Sequence, residues 1–325
     1  MGTNIAIGNL IGKHNTDTQK INFPFSNSLV DYWNFGGKSN FDKDRTTVTG
    51  LLGNVLTAYN FGWSLGSGYG LYKENYLTYK AFNTGSDIRA ILTNTDSKIH
   101  VTEINKSNVK FFDSLEHTTT DYSVKVSGLT DDIDLYFNGL KSTNGAVNTK
   151  LVNGINYLAA VDKYGGFKTS TFTGKCDVTI EQIPEYEGAI VTDGVDDYLK
   201  LDKVGYKVGT IIIKFKPINI KPNIVNSILN IHTDEVALQY DTSGVISSNF
   251  TAYKNYEEYG VGIFNVDKNA ITPLTLGCKL SNSGSPMEYC NMALYSIAIY
   301  DRTLSDQEVQ EVINFMNKDN KSWNT

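Results

Sequence analysis

One stretch near the C-terminus has the clearest pattern of hydrophobic and polar residues. Residues 292–300 are almost continuously apolar, which is typical of a strand covered on both faces. Ser305 and Glu308 then have the spacing of a capping box, and Leu304 can pack on Val309 as a hydrophobic staple. The apolar positions that recur at helical spacing are Val309, Val312, Ile313 and Met316. The pattern predicts a buried strand, a turn and an amphipathic helix.

Shorter segments with β character fill most of the remaining chain. Residues 121–127 alternate between polar and apolar, residues 128–132 are typical of a turn, and residues 133–137 predict a strand that runs back. Residues 176–181 alternate in the same way. Further core strands are predicted at 210–215, 227–232, 237–240, 260–266 and 273–280. We therefore expect an all-β protein with one convincing helix.

Three separate stretches resemble one family of β domains. The C-terminal strand and helix contain YDRTLSDQEV, residues 189–199 read AIVTDGVDDYL, and residues 29–35 read LVDYWNF. Together with Gly53-Asn54 and residues 58–60, these stretches resemble the LamG-like, concanavalin A-like lectin jelly roll. In that family the opening strands and the DGVDDY turn lie close together in sequence, whereas more than a hundred residues separate them here. The resemblance implies a jelly roll that is interrupted by an inserted domain.

The insertion sets the expected domain boundaries. Four glycines between residues 62 and 70 predict a hinge where the chain leaves the jelly roll, and Pro184 ends the last strand of the insert. Turns about every 8–12 residues in between are typical of an immunoglobulin-like sandwich. The expected organisation is an N-terminal arm at 1–26, a jelly roll at 27–69 and 185–318, an insert at 70–184 and a tail at 319–325.

The insert carries a second resemblance. Its strings VKVSGL, LYFNG and CDVTIEQIP resemble modules in proteins of bacteriophages that infect gut Bacteroides, crAss-like phages among them. This resemblance implies a structural component of a head or tail fibre, assembled in the host cytoplasm and located in the virion. It also implies a homo-oligomer, often a trimer, whose N-terminal arm contacts other virion proteins. A host-surface glycan is the ligand that a lectin-like domain would recognise.

Charge and composition exclude several other classes. The net charge of −6 argues against a nucleic-acid or anionic-membrane partner, because phosphate binding needs clustered Lys and Arg. No apolar run approaches the roughly 20 residues of a membrane span, and residues 1–20 lack the features of a signal peptide. Cys176, Cys278 and Cys290 are expected to be reduced and buried, with a Cys278–Cys290 disulfide as the alternative.

Asp193, Asp196 and Asp197 form the candidate metal site. Calcium takes several carboxylate and carbonyl oxygens, and the resemblance to LamG-like domains, which often bind calcium at loop edges, favours such a site. Turn chemistry is the alternative, because Asp-Gly bends the chain and neighbouring carboxylates stay solvated. The cluster lacks the alternating Asp/Asn spacing of a dedicated calcium loop. We therefore expect no cofactor, with calcium as the one candidate.

Tyr253, Tyr256 and Tyr259 are the candidate carbohydrate-binding residues. Tyrosine rings stack on the faces of sugars, their hydroxyls form hydrogen bonds, and polar neighbours fix the orientation of a ligand. The alternative is a tyrosine-rich hairpin that packs on its own sheet or on a neighbouring subunit. The sequence favours the packed hairpin and leaves sugar binding open.

The sequence predicts a protein that is not an enzyme. A glycosidase needs two carboxylates roughly 5–10 Å apart, but Glu185 and Glu187 flank a linker. Glu257 and Glu258 are adjacent and would point to opposite faces of a strand. No serine lies in a nucleophile elbow. The alternatives to a virion protein are a secreted or surface carbohydrate-binding adhesin of a bacterium and, less favoured, a glycan hydrolase.

Overall fold

The computed structural model describes residues 23–81, 83–84, 86–114, 121–141, 145–231, 236–256, 259–270 and 273–321. The chain divides into two compact units. Met1–Gly70 and Tyr186–Thr325 form the first, which we call the split unit, and Leu71–Glu185 forms the second, the inserted unit. The expected insert, 70–184, differs from the observed unit by one residue at each end. Most of the predicted arm, residues 1–22, and the end of the predicted tail, residues 322–325, lie outside the described residues.

The described residues form 28 strands and one α-helix, so the all-β prediction is confirmed. The first segment of the split unit contains β1 (Leu29–Asn34), β2 (Thr47–Thr49), β3 (Val55–Tyr59) and β4 (Gly68–Tyr69). The inserted unit contains β5 (Lys80–Ala81), β6 (Asn83–Thr84), β7 (Asp87–Ile88), β8 (Ala90–Asn94), β9 (Lys98–Ile104), β10 (Lys110–Ser114), β11 (Tyr122–Ser127), β12 (Leu135–Lys141), β13 (Gly145–Lys150), β14 (Gly154–Leu158), β15 (Tyr164–Thr169) and β16 (Gly174–Ile183). The second segment of the split unit contains β17 (Ile190–Val191), β18 (Tyr198–Leu201), β19 (Tyr206–Asn219), β20 (Asn226–Asn230), β21 (Val236–Tyr240), β22 (Ile246–Ser248), β23 (Ala252–Tyr256), β24 (Tyr259–Ala270), β25 (Leu274–Leu276), β26 (Lys279–Leu280), β27 (Pro286–Met287), β28 (Asn291–Tyr300) and the helix α1 (Asp306–Lys321).

The first sheet of the split unit, sheet I, is organised around β28. Its order is β23-β24-β19-β28-β17-β4, and β1 also pairs with β28. On one side β28 pairs with β19, and on the other it pairs with β1 and then with β17, all antiparallel. Trp33 lies opposite Ile297, and Ile190 lies opposite Leu294. The two distant segments of the chain therefore share one sheet.

The second sheet, sheet II, also draws strands from both segments. Its order is β2-β3-β18-β25-β20-β21-β22. The junction between the segments is the antiparallel pair β3–β18, in which Ala58 lies opposite Leu199. Buried residues from the two sheets form one hydrophobic cluster, which includes Trp33 and Ile297 of sheet I and Leu276 of sheet II. Sheets I and II therefore enclose the main core of the split unit.

The other face of sheet I is covered by α1. The helix begins at Asp306, the Ser305 N–H donates to Glu308 Oε2 at 2.8 Å, and the Glu308 N–H donates to Ser305 Oγ at 3.3 Å, so the predicted capping box is confirmed. The side chain of Arg302 hydrogen-bonds the carboxylate of Glu308 and lowers its pKa to about 2. The helix residues Val309, Val312, Ile313 and Met316 and the staple residue Leu304 are all buried in the cluster on this face. Apolar residues thus cover both faces of β28, as its composition predicts.

The inserted unit repeats this two-sheet arrangement on a smaller scale. One sheet has the order β13-β12-β15-β10-β5, the other has the order β14-β11-β16-β9-β8, and their buried residues form a single cluster. Residues 133–137 are predicted to run back as a strand, and residues 135–137 do lie in one. β12 starts at Leu135 and joins the first sheet, whereas β11 belongs to the second, because both strands place alternate apolar side chains in the core between the sheets.

The glycine-rich segment at 62–70 differs from the expected hinge. Its last residues form β4, which pairs with β17, and Tyr69 is buried. The Tyr69 N–H donates to Asn40 Oδ1 at 2.7 Å. Gly68 has φ +122, and a Cβ there would lie 2.5 Å from the same Oδ1. The glycine therefore permits a close contact in addition to a turn.

No helix among the described residues is long and apolar enough to cross a membrane.

Candidate functional site

The DGVDDY stretch forms the loop between β17 and β18. Asp193 Oδ1 accepts hydrogen bonds from the backbone N–H groups of Val195 at 2.7 Å and Asp196 at 3.3 Å, which is an Asx turn. Gly194 follows with φ +72, and a Cβ at this position would lie 2.9 Å from the backbone nitrogen of Asn291. The sequence Asp-Gly is thus required by the local backbone, as the turn hypothesis states.

Asp197 is the buried carboxylate at the end of this loop, and it is hydrogen-bonded to the loop's first residue. Its side chain is fully buried, and Oδ2 accepts a hydrogen bond from the Asp193 N–H at 2.9 Å. Burial raises the pKa of Asp197 to about 6, and the neighbouring charge of Asp193 adds to the rise. The hydrogen bond from the Asp193 N–H acts in the opposite direction and lowers the pKa. Oδ1 is also buried and has no hydrogen-bond partner among the described residues.

Three side chains connect the loop to other elements by hydrogen bonds. Asn60 Nδ2 donates to the carbonyl of Asp196 at 2.9 Å, and Asn291 Nδ2 donates to the carbonyl of Asp193 at 3.2 Å. Lys221 Nζ donates to the carbonyl of Gly194. The backbone carbonyls of the loop are therefore largely committed to protein donors.

The three carboxylates of Asp193, Asp196 and Asp197 do come together, with one oxygen of each within 4.8 Å of the others. Among the described residues this is the one group of three ligating side chains with that spacing. The buried, unpaired Oδ1 of Asp197 fits an oxygen-binding cation such as Ca²⁺, which takes about 6–8 oxygen ligands. The positively charged ammonium of Lys221 lies at the same loop and would repel a bound Ca²⁺. The calcium hypothesis stays a prediction.

A raised pKa beside a second carboxylate is also a feature of acid–base catalysis. Here the acid with the raised pKa, Asp197, has an exposure of 0% and already accepts a backbone hydrogen bond. A general acid must come within hydrogen-bond reach of its substrate. The geometry therefore suits Asp197 for holding the loop better than for proton transfer.

The tyrosine-rich hairpin is formed by β23 and β24. Tyr253 is half-buried against the main core, its ring stacks on Phe250 with 6.3 Å between centroids, and its hydroxyl donates to Asn255 Oδ1 at 2.8 Å. Burial raises the pKa of Tyr253 to about 12. A Cβ at Gly260 would lie 2.7 Å from the Tyr253 hydroxyl, so the glycine makes room for this ring. Tyr253 packs on its own sheet while keeping part of its surface exposed.

Tyr259 lies on the opposite face of sheet I. Its exposure is 3%, it belongs to the cluster under α1, and its hydroxyl donates to Asn317 Oδ1 at 2.9 Å. The expectation of one exposed surface formed by all three tyrosines is therefore wrong for Tyr259. Successive residues of a strand point to opposite faces, and position 256, which pairs with Tyr259, is an odd number of residues from Tyr253 on β23. The backbone of Tyr256 lies opposite that of Tyr259, and the side chain of Tyr256 is outside the described part of the structure.

A buried carboxylate near the start of the chain was missed by the sequence analysis. Asp31, on β1, is fully buried, and its oxygens accept hydrogen bonds from the backbone N–H groups of Tyr32, Leu52 and Asn54 and from Asn54 Nδ2, at 2.7–2.9 Å. A Cβ at Gly50 would lie 2.5 Å from this carboxylate. Asp31 thus fixes the loop between β2 and β3. The signal in the sequence is a single Asp inside the apolar run LVDYWNF.

The cysteines are free thiols, so the alternative of a Cys278–Cys290 disulfide is not observed. Cys278 and Cys290 are fully buried, and burial raises the pKa of each to about 12. Cys176 is half-buried, and its pKa is raised mainly by burial. Thiols with raised pKa values are poor nucleophiles, which agrees with the prediction that these residues pack as small apolar groups.

No protein-family model and no curated protein matches the chain.

Proposed function

We propose that this chain is a non-enzymatic structural protein of a bacteriophage virion, in a head or tail fibre, with a lectin-like domain that recognises a surface or a glycan. The observation that carries the proposal is the split unit, whose two sheets each combine strands from both chain segments around the DGVDDY loop. We interpret this unit as a concanavalin A-like (LamG) jelly roll and the inserted unit as an immunoglobulin-like sandwich. Short stretches of the inserted unit, VKVSGL, LYFNG and CDVTIEQIP, resemble modules of phage proteins, and this resemblance supports the assignment to a virion.

The proposal includes partners. Fibres are homo-oligomers, often trimers, and the arm at residues 1–26 is the segment proposed to contact other virion proteins. The ligand proposed for the lectin-like domain is a host-surface glycan. Recognition by half-buried aromatic rings and a few polar groups needs no cofactor and no catalytic residue.

A glycan array with the full chain tests the recognition part of the proposal. We expect binding to a subset of bacterial surface glycans, and Tyr253→Ala tests the tyrosine hypothesis, with Tyr136→Ala in the inserted unit as the matched control. Weaker binding for Tyr253→Ala alone would support the hairpin as a contact surface. Release of sugar products from any array glycan would instead favour the hydrolase alternative.

The virion part needs a separate experiment. Antibodies raised against this chain should label intact phage particles at a fixed position in electron micrographs. Label on bacterial cell envelopes and none on particles would favour the bacterial adhesin. The two experiments are independent, because a virion protein need not bind glycans.

A further inference from the structure

One sheet of the inserted unit ends in an edge strand that carries exposed apolar side chains. β14 is the outermost strand of its five-stranded sheet, and among the described residues β11 is the one strand that pairs with it. Ile155 is 72% exposed, Tyr157 is 60% exposed, and Val152 in the preceding loop is 58% exposed. Because an edge strand presents unpaired backbone N–H and C=O groups, this edge offers both hydrogen bonds and apolar surface to another strand.

The other edges of the two five-stranded sheets of this unit carry protection that β14 lacks. β13 contains Lys150 and β5 contains Lys80, and lysines on an edge disfavour pairing with another chain. On β8 the carbonyl of Ala90 already accepts a hydrogen bond from Asn83 Nδ2 at 3.0 Å. β14 has the sequence GINYL, with no charged residue and no proline. The composition of this edge therefore favours association with a further strand.

The edge is held in one conformation by side-chain hydrogen bonds. Asn156 Nδ2 donates to the carbonyls of Val152 at 2.7 Å and Gly154 at 3.0 Å, and Asn156 Oδ1 accepts the Val152 N–H at 2.9 Å. The hydroxyl of Tyr157 donates to the carboxylate of Asp121. The start of β14 and the ring on its exposed face are thus oriented before a partner binds, which lowers the entropic cost of association.

We infer that β14 pairs with β14 of a second copy of this chain, antiparallel and about a two-fold axis that passes between the two Asn156 residues. Ile155 then lies opposite the partner's Tyr157, and Tyr157 lies opposite the partner's Ile155. An aromatic residue opposite a β-branched one is a favourable cross-strand pair, and the axis forms this pair twice. The strand is thus its own complement, and the five-stranded sheets of the two copies become continuous.

The charges around the edge are compatible with this pairing. Lys125 lies opposite Ile155 on β11, so it is one strand away from the contact. The Lys125 residues of the two copies are three strand spacings apart, roughly 14 Å. This separation exceeds the roughly 8 Å over which charges interact at physiological salt. The register therefore places no like charges opposite each other across the axis.

The inference goes beyond the proposed function, because neither glycan recognition nor a place in the virion specifies a surface for self-association. A contact through one short strand is small compared with the interfaces of permanent dimers. The dimer should therefore dissociate on dilution.

Sedimentation equilibrium of the full chain over a range of concentrations tests the inference. We expect an equilibrium between monomer and dimer. Ile155→Lys should weaken the dimer at least about tenfold, because it replaces both copies of the apolar pair with a charged edge. The matched control is Ile91→Lys on β8, the opposite edge of the same sheet, where Ile91 is 50% exposed. Circular dichroism should show that both variants are folded, since both positions are exposed.

Mixing two cysteine variants tests the register. In a Cys176→Ser background, Ile155→Cys and Tyr157→Cys should form an intermolecular disulfide when they are mixed, because directly opposite residues have Cα atoms about 4.5–5.5 Å apart. Each variant alone brings its cysteines together only on the diagonal, about 7–8 Å apart, and should form far less disulfide. Equal yields from the mixture and from the separate variants would overturn the register.

The oligomeric state of the lysine variants decides between the remaining outcomes. Equal dimerisation of Ile155→Lys and the wild type, or a wild type that stays monomeric at every concentration, would overturn the inference. Equal weakening by Ile155→Lys and Ile91→Lys would overturn the two-fold pairing in favour of a head-to-tail contact between β14 and β8. A trimer that neither variant affects would overturn the edge as the contact and leave the proposed fibre assembly standing.

Discussion

Two aspartates of the split unit are fully buried, and they differ in how the protein compensates their charge. Asp31 accepts four hydrogen bonds, three of them from backbone N–H groups. Asp197 accepts one from the backbone of Asp193, lies beside two further carboxylates, and has a raised pKa mainly because of burial. A buried carboxylate is stable only when hydrogen bonds or protonation replace its hydration. The two residues should therefore respond differently to substitution.

Asp31→Ala should destabilise the protein by about 3 kcal/mol or more, because it leaves three backbone N–H groups and one side-chain amide without their acceptor. Urea unfolding of the two proteins measures the difference. Asp131→Ala, at an exposed position of the inserted unit, is the control and should stay within about 0.5 kcal/mol of the wild type. A small effect for Asp31→Ala would mean that water replaces the carboxylate.

Asp197→Asn should change the dependence of stability on pH. The ordinary pKa of Asp197 is 3.8 and the folded value is about 6, so the folded state keeps its proton over an interval in which the unfolded state has lost it. Wild-type stability relative to Asp197→Asn should therefore be greatest at low pH and fall by about 2 kcal/mol as the pH rises through 6.

Unfolding in EDTA at about pH 4 and about pH 7 checks this expectation, with Asp131→Asn as a control that should parallel the wild type. A wild type that gains stability relative to Asp197→Asn between pH 4 and pH 7 would contradict a raised pKa. Repeating the measurement with excess calcium tests the metal hypothesis. A bound cation would stabilise the wild type and leave Asp197→Asn almost unchanged.

Neither aspartate's environment can be read from the sequence alone. Two of the backbone donors to Asp31 lie about twenty residues later in the chain, and only the fold brings Leu52 and Asn54 to it. The DGVDDY spacing does place three carboxylates together, because they lie within five residues. What the sequence does not reveal is which of them is buried, since that depends on the packing of β17 and β18 in different sheets.

Elements with strong local signals were the most predictable. The helix α1 was predicted from capping residues and apolar spacing, both of which lie within a few residues of each other. The hairpin tyrosines were harder, because the sequence gives the alternation of faces without saying which face is covered. Sheet I is apolar on both faces at this point, so Tyr253 meets the main core and Tyr259 meets the helix. The expectation that such residues are exposed fails where a sheet has layers on both sides.

Ser305→Ala should destabilise the protein by about 1 kcal/mol, because it removes the acceptor of the Glu308 N–H and one half of the capping box. Thermal unfolding measures the change. Gln307→Ala is the matched control on the same helical turn, where the side chain is exposed. Equal stability of Ser305→Ala and the wild type would show that water caps the helix as well as the hydroxyl does.

At the scale of the whole molecule, the resemblance of three distant stretches to LamG-like domains predicted that two chain segments share one domain, which hydrophobic periodicity could not predict. Residues 29–35 and 292–300 are far apart in sequence, and no local pattern pairs Trp33 with Ile297. Sequence analysis placed the insert within one residue of the observed boundaries, since glycines and a proline mark both ends. The order of strands and the crossing of β11 and β12 between sheets were beyond it, because many strand orders satisfy the same alternation.

Gly70 and Tyr186, the residues of the split unit that flank the insert in sequence, are hydrogen-bonded to each other. The Tyr186 N–H donates to the carbonyl of Gly70 at 2.9 Å, and the Gly70 N–H donates to the carbonyl of Ala189 at 2.9 Å. A linker of about four glycine and serine residues can therefore replace Leu71–Glu185. The split unit has its own core and both of its sheets without the insert, so the excised protein should fold and unfold cooperatively.

Circular dichroism and urea unfolding check the excision, and the urea dependence of the unfolding free energy should fall with the smaller buried surface. The fragment 186–325 is the control and should remain unfolded, because β18 and β28 would lose their partners β3 and β1. An excised protein that behaves like this fragment would mean that the split unit depends on the insert for its stability. Cooperative unfolding of the excised protein alone would show that the two segments form a domain by themselves, because only β1–β4 distinguish it from the control.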